Sequence, residues 1–235
     1  MAVKLQWESM RLHEKIAQGP VLTKIHADYM SKINVKTSVP VIAPTVKVAK
    51  LITTFKSPEE FTTSHLNPNH ILKASRGSGF LVDLAKVSTV EEARTHMRSW
   101  TNALHKMNKP VEFLIEEKIV DAVFGSTGQA ADYKFFCFNG KPHFFLCRFD
   151  GNRNFYDLNY KPIKLQGTKQ LPRIDLAPMI EIARQLSAPF PFVRIDLYHG
   201  ADGVYFGEYT FNVNGGHREF NDALEREFGK LWTVQ

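Results

Sequence analysis

Apolar residues at the start of the chain recur at Leu5, Leu12 and Ile16 between charged neighbours, a spacing that predicts an amphipathic helix over 1–20 ended by Gly19-Pro20. A second short helix is predicted over 24–33. Residues 39–44 hold Pro40 and Pro44, and because each proline disfavours helix at the residue before it, this stretch is predicted to be extended. Ser57-Pro58-Glu59-Glu60 carries an N-cap, a proline at the first helical position and a glutamate placed for a capping box, so a helix is predicted to start there. Ser88-Thr89-Val90-Glu91 repeats the signal for a helix over 89–105. Between them, the apolar run 70–74 is followed by Ser75-Arg76-Gly77-Ser78-Gly79 and a second run at 80–84, which predicts strand, loop, strand.

From residue 111 the pattern turns to strands: 111–116, then 133–138 and 143–149 around Asn139-Gly140, the strongest short signal for a hairpin. A helix over 176–186 precedes a second hairpin, 192–198 with 204–210, whose loop is expected at 199–203. In that register Tyr198 faces Val204, Asp196 faces Phe206 and Arg194 faces Glu208. Arg194, Asp196, Phe206, Glu208 and Thr210 then share one face. Asp196 and Glu208 become diagonal neighbours, roughly 7–8 Å apart, close enough to share a cation. The outline suits magnesium, with Asn212 and Asn214 as further oxygen donors; an ordinary solvated strand face with one Arg–Glu pair fits the same pattern. The whole is expected to be α+β with antiparallel sheets, with no internal repeat.

A length of 235 residues at 43% hydrophobic allows one large domain or two small lobes, and Asn108-Lys109-Pro110 marks a lobe boundary. No apolar run approaches the roughly 20 residues of a membrane span. The first residues lack the apolar core of a signal peptide, so a cytoplasmic location is expected. Cys137 and Cys147 fall in strands and are expected to be small apolar residues in a reducing compartment. With neither CxxC nor HExxH, a zinc site is not expected. The net charge of +6 suits a polyanionic partner, whether nucleic acid, nucleotide phosphates or an acidic polymer.

Lys73, on an apolar strand directly before Ser75, Gly77, Ser78 and Gly79, places a cation at the base of a loop whose backbone N–H groups can hold phosphates. Glu116, Glu117 and Ile119 follow a strand, where a backbone hinge could pair with an adenine edge. Asp132 and Lys134 share a strand face with Phe136 and Phe138, the pattern of a strand leaving a site for a core. Arg148, Arg153 and Asn154 are further candidates for phosphate or acceptor contacts.

These motifs, in this order, resemble the ATP-grasp superfamily and closely its TupA-like subgroup, associated with teichuronopeptide and cell-surface polysaccharide biosynthesis. The resemblance covers roughly 24–217. It is densest in Asp132-Tyr133-Lys134-Phe135-Phe136-Cys137-Phe138-Asn139-Gly140-Lys141, in Arg153-Asn154-Phe155-Tyr156-Asp157-Leu158, and in Arg194-Ile195-Asp196 with Phe206-Gly207-Glu208. It implies an ATP-grasp fold of two α+β lobes with antiparallel sheets gripping ATP between them, without a full preceding α/β domain. On this reading 1–45 is an N-terminal helical segment, 46–117 the small lobe with the phosphate loop, and 118–235 the large lobe with the metal site.

By the same resemblance Lys32 and Lys73 are phosphate-binding lysines, Glu116, Glu117 and Ile119 the adenine hinge, and Asp132 the acid on the ribose. Arg194 stabilises the transferring phosphate, while Asp196 and Glu208 bind magnesium. Ligases of the superfamily carry Glu-x-Asn at the second metal, whereas Glu208-Tyr209-Thr210 stands here, so Thr210 or Asn212 replaces the asparagine. The implied cofactors are ATP and Mg2+. The implied activity is a carboxylate–amine ligase with a small-molecule, peptide or glycan acceptor; a kinase on the same fold, or a non-catalytic basic module binding polyanions, are the alternatives.

Overall fold

In a computed structural model, residues 2–19, 24–125, 130–169 and 171–233 are described. The helices are α1 (Ala2–Ser9), α2 (Leu12–Gln18), α3 (Lys24–Tyr29), α4 (Val35–Ile42), α5 (Val90–Lys106), α6 (Ala177–Ser187) and α7 (Asp222–Leu231). The strands are β1 (Lys47–Val48), β2 (Leu51–Phe55), β3 (His70–Ala74), β4 (Leu81–Asp83), β5 (Phe113–Glu117), β6 (Asp132–Phe138), β7 (Lys141–Phe149), β8 (Asn152–Asp157), β9 (Pro162–Gln166), β10 (Phe192–Gly200) and β11 (Gly203–Thr210). The chain divides into two compact units: 1–29 with 37–48 and 120–235, and 30–36 with 49–119. The residues expected to form a separate N-terminal segment over 1–45 are thus distributed over both.

The smaller unit is built on a four-stranded antiparallel sheet of order β2-β5-β3-β4. Its helix α5 starts where Thr89 Oγ1 accepts the Glu92 N–H at 3.2 Å and Glu92 accepts the Ser88 N–H at 2.9 Å, so the capping pair lies one residue later than expected. Ala93, Met97, Trp100 and Leu104 form the buried stripe of α5, packed with Leu72, Phe113 and Ile115. At Ser57 the expected helix is a single 3-10 turn, Pro58–Glu60. Glu60 does accept the Ser57 N–H at 2.9 Å, but Phe61 turns extended to bury its ring beside Phe55, and that burial ends the helix.

The larger unit is built on a seven-stranded sheet of order β1-β11-β10-β6-β7-β8-β9, antiparallel except for β1 beside β11. The Asn139-Gly140 turn has φ of 49° and 74°, the left-handed pair that a two-residue hairpin requires. One sheet face carries Phe136, Phe138, Phe144, Phe155 and Phe192, covered by Leu12 and Ile16 of α2 and by Phe228 of α7. α6 packs along the other face, against β6, β7 and β10, through Met179, Ile182, Ala183 and Leu186. Cys137 and Cys147 are buried there as free thiols, and burial pushes Cys137 up to about 12.

Three expectations are corrected. The 1–20 helix is two helices, because Glu14 accepts the Arg11 N–H at 2.7 Å and starts α2 afresh. Residues 39–42 are helical within α4 despite Pro40; Val35, Val39 and Ala43 are buried at helical spacing, and that burial outweighs the proline penalty.

The third concerns the last hairpin, whose loop is only Ala201-Asp202, with Gly200 facing Gly203. β11 also carries a bulge at Gly207, where a Cβ would lie 2.9 Å from the Tyr198 ring and 3.0 Å from the Asp196 carbonyl oxygen. Asp196 therefore faces Glu208 directly and Arg194 faces Thr210. Phe206 is moved to the opposite face, across from Leu197.

Candidate functional site

The bulge decides the chemistry of the larger unit. By returning Glu208 and Thr210 to the face of Arg194 and Asp196, it gathers charged groups from β6, β10 and β11 at one end of the aromatic sheet face. The Arg194 guanidinium grips Asp196 with both prongs, Nε to Oδ1 and Nη2 to Oδ2, each at 2.7 Å. Its Nη2 also reaches Thr210 Oγ1 at 3.0 Å and Glu208 Oε1 at 3.4 Å. Lys134, opposite Asp196 in the ladder, places its ammonium between Asp196 and Asp132 and pairs with both. Asp132 Oδ1 is buried without a hydrogen-bond partner.

Burial disfavours every charge here, and the partners decide which survive. Burial works against ionised Asp196, but Arg194 and Lys134 outweigh it and hold the carboxyl below the usual range. Asp132 goes the other way: burial, reinforced by the neighbouring Asp196 charge, raises it despite Lys134. Lys134 is itself raised, burial being overcome by Asp196 and Asp132.

The smaller unit holds a second ionic group. Glu116, on β5, accepts Lys73 of β3 on one oxygen and Lys36 of α4 on the other at 2.8 Å. Burial opposes its charge, but the two lysines hold the carboxyl below the usual range. Lys36 also donates to the Ala49 carbonyl at 2.6 Å. Lys32 Nζ donates to the Gly77 carbonyl at 3.0 Å, and its N–H to the Ser75 carbonyl at 3.0 Å, so it is tied to the glycine loop at both ends. Gly77 and Gly79 have φ of 86° and 79°, and at Gly77 a Cβ would lie 2.6 Å from the Phe80 ring. Ser75 is buried and Ser78 exposed.

Most of the residues singled out from sequence thus fall into these two groups. Lys32, Lys73, Ser75, Gly77, Ser78, Gly79 and Glu116 lie together in the smaller unit, and Asp132, Lys134, Arg194, Asp196, Glu208 and Thr210 in the larger. Glu117 instead pairs with Lys50 at 3.0 Å, and Ile119 is half-buried beyond the strand. Arg148 is exposed, beside Asp132 in the sheet. Asn212 is exposed two residues past β11. Arg153 is held by Glu219 through two bonds of 2.7 Å, and Asn154 is spent on the backbone of Gln166 and Lys169. Sequence reasoning missed Lys36 and Glu219; the position of Lys36 four residues after Lys32 was the available signal.

A sequence model described as TupA-like ATP-grasp matches residues 4–233. The chain belongs to the TupA-like ATP-grasp family. Its fold is the ATP-grasp fold, shared with D-alanine–D-alanine ligase from Bacillus anthracis complexed with ATP, at TM-score 0.51 and 13% identity over 88% of this chain and 64% of the ligase. A second structure of that ligase matches at 0.51 and 14%, over 95% of this chain and 73% of the ligase. The ADP complex of PurK, N5-carboxyaminoimidazole ribonucleotide synthetase, matches at 0.50 and 16%, over 82% and 48%. The TupA-like chain thus spans less than two thirds of the first of these ligase structures and of PurK. No curated protein matches it.

Among the described residues of this ATP-grasp chain, no three His, Cys, Asp or Glu side chains form a metal group, and no helix is long and apolar enough to cross a membrane. The donors on the β10–β11 face nonetheless fit a hard divalent ion. Asp196 and Glu208 face each other, Thr210 is adjacent and Asp132 Oδ1 lacks a partner. Mg2+ needs only one or two carboxylates when nucleotide phosphates complete its shell.

Proposed function

We propose that this TupA-like ATP-grasp protein is a Mg-ATP-dependent carboxylate–amine ligase. A carboxylate oxygen of the acceptor attacks the γ-phosphorus of ATP and the bond to ADP breaks. An amine then attacks the acyl carbon, a proton leaves the nitrogen, and phosphate departs. The observation that carries the reading is the two-pronged Arg194–Asp196 pair with Glu208 and Thr210 on one strand face, a cation and hard oxygen donors fixed in place before substrate arrives.

Phosphoryl transfer asks a protein for positioning and charge neutralisation more than for covalent help. Arg194 is assigned to the transferring phosphoryl group and then to the oxyanion of the acyl intermediate. Asp196 and Glu208 hold Mg2+, with Thr210 as the neighbouring oxygen; bound there, the ion neutralises phosphate charge. Lys73, Lys32 and the Ser75–Gly79 loop bind phosphates, and Lys36 joins them. Asp132, with its partnerless oxygen, suits a ribose hydroxyl as donor. Arg148, exposed beside it, suits an acidic acceptor, and the family's association favours a glycan uronate or a peptide carboxylate.

Phosphorus NMR with Mg-ATP and a pool of carboxylates, amines and sugars tests this, because it follows the transferred phosphate. Free phosphate that appears only when both a carboxylate and an amine are present is expected. A stable phosphoester would make the protein a kinase. Asp196→Asn and Glu208→Gln are expected to lower turnover by about 100-fold or more, the scale of losing one electrostatic contact to the transition state; unchanged turnover in both would reject the assignment.

A further inference from the structure

One row of residues crosses five strands of the larger sheet on the face of Asp196: Tyr198, Asp132, Arg148, Arg153 and Gln166, each directly opposite the next. In that row Arg148 of β7 faces Arg153 of β8. Like charges directly opposite in a ladder are destabilising, with Cβ atoms about 5 Å apart. Lys164 of β9, two residues from Gln166 on the same face, adds a third cation. Glu219 answers two of the three: it takes Arg153 through two bonds of 2.7 Å and Lys164 through a third of 2.7 Å, which occupies both its oxygens. Arg148 is exposed and, among the described residues, makes no ion pair or hydrogen bond through its side chain. Asp132, across the ladder from it, keeps Oδ1 without a partner. Arg153 makes three bonds, two to Glu219 and one to Gln166, against the five N–H groups of a guanidinium, so two remain. The Phe155 ring lies 5.0 Å from its central carbon and, with Glu219, fixes its plane. This part of the face thus holds a repelling pair of arginines, one oriented and one unpaired, with donors left over for an anion.

We propose that Arg148 and Arg153 form the binding site for a second carboxylate of the acceptor, one that does not receive the phosphoryl group. The inference rests on the ligase reading above and adds where the far end of the acceptor is held. β7 and β8 lie two and three strand spacings from β10, roughly 10 and 14 Å, so an anion between the two arginines belongs to a part of the acceptor remote from the transferred phosphate. The carboxylate offsets the repulsion between the two guanidiniums, each of which can present a fork to it.

The test is calorimetric titration of the full chain, saturated with Mg-AMPPNP, using two pairs of probes that differ by one charge: glutamyl-glutamate against glutamyl-glutamine, and digalacturonate against its monomethyl ester. In at least one pair wild type is expected to bind the fully charged probe about tenfold tighter, the scale of one charged hydrogen-bonded contact. The pair that shows the preference identifies the source as peptide or glycan. Arg148→Gln and Arg153→Gln are each expected to remove the preference while Mg-AMPPNP still raises Tm. Equal affinities within both pairs overturn the proposal, and so does a preference that survives Arg148→Gln. Should Arg153→Gln not fold, Arg148→Gln, at an exposed position, decides. If Mg-AMPPNP fails to raise the Tm of wild type, the ligase reading itself is rejected, and this inference with it.

Discussion

Glu116 shows what one residue can settle. Its carboxylate is buried, and Lys73 and Lys36 maintain its ionised form against that burial. A carboxyl held below its unfolded value, about 4.3, contributes stability that is fully present above that pH and is lost as pH falls through the folded value. Acid unfolding should therefore steepen below about pH 4.3, and Glu116→Gln should flatten that limb. The same substitution leaves two half-buried lysines without their acid, so at pH 7 it should cost about 1–3 kcal/mol. Urea unfolding at pH 7 and at pH 3.5 measures both; a variant as stable as wild type at pH 7 would remove Glu116 from this role. Sequence placed Glu116 among candidate site residues, but by resemblance to a hinge. Its pairing with Lys73 and Lys36 was hidden because both lie far from it in sequence, Lys36 in the gap between the helix expected over 24–33 and the extended stretch expected over 39–44.

At the scale of elements, short-range rules worked where the deciding interactions are local. The Asn139-Gly140 hairpin and the α5 start depend on turn geometry and capping, and both lie within a residue or two of expectation. They failed where packing decides. Pro40 sits inside a helix because Val35, Val39 and Ala43 must be buried. The β10–β11 register turns on Gly207, whose bulge is legible only once Tyr198 and the Asp196 carbonyl are seen to leave no room for a side chain. Strands β8 and β9 went unassigned although each pairs with its neighbour in the chain, whereas helix α7 went unassigned because the Leu12 and Ile16 side chains it packs with lie at the other end of the sequence.

Helix α7 gives a contest between the two kinds of rule. Intrinsic propensity makes Gly229→Ala stabilising by about 1 kcal/mol in a helix. Yet a Cβ at Gly229 would lie 2.4 Å from the Met10 carbonyl oxygen and 3.2 Å from the backbone of Arg11 and Leu12. α7 would have to move off the α1–α2 junction, disturbing Lys15, which donates to the Gly229 and Trp232 carbonyls at 2.7 and 2.8 Å. Packing should win, with Gly229→Ala destabilising by about 1–3 kcal/mol, the usual cost of overfilling a packed interior. A raised Tm would show that propensity wins instead.

At the scale of the whole molecule, the family was legible because several motifs fall in one order, while the acceptor was not. The chain spans only part of the first of the ligase structures that share its fold, and nothing in its two ionic clusters specifies an acceptor. What the whole chain can reveal is whether both clusters serve one ligand. A ligand bound only by folded protein stabilises it by mass action, about 2.7 kcal/mol at a hundredfold excess over Kd, or roughly 5–10 °C in Tm for a chain of this size. Mg-AMPPNP should produce that shift in wild type. Lys73→Ala in the smaller unit and Asp196→Asn in the larger should each abolish most of it, since either loss raises Kd toward the ligand concentration. Thermal unfolding of the three proteins, with and without nucleotide, separates the cases. If only one variant loses the shift, the ionic group in the other unit is there for stability, and its residues leave the catalytic assignment.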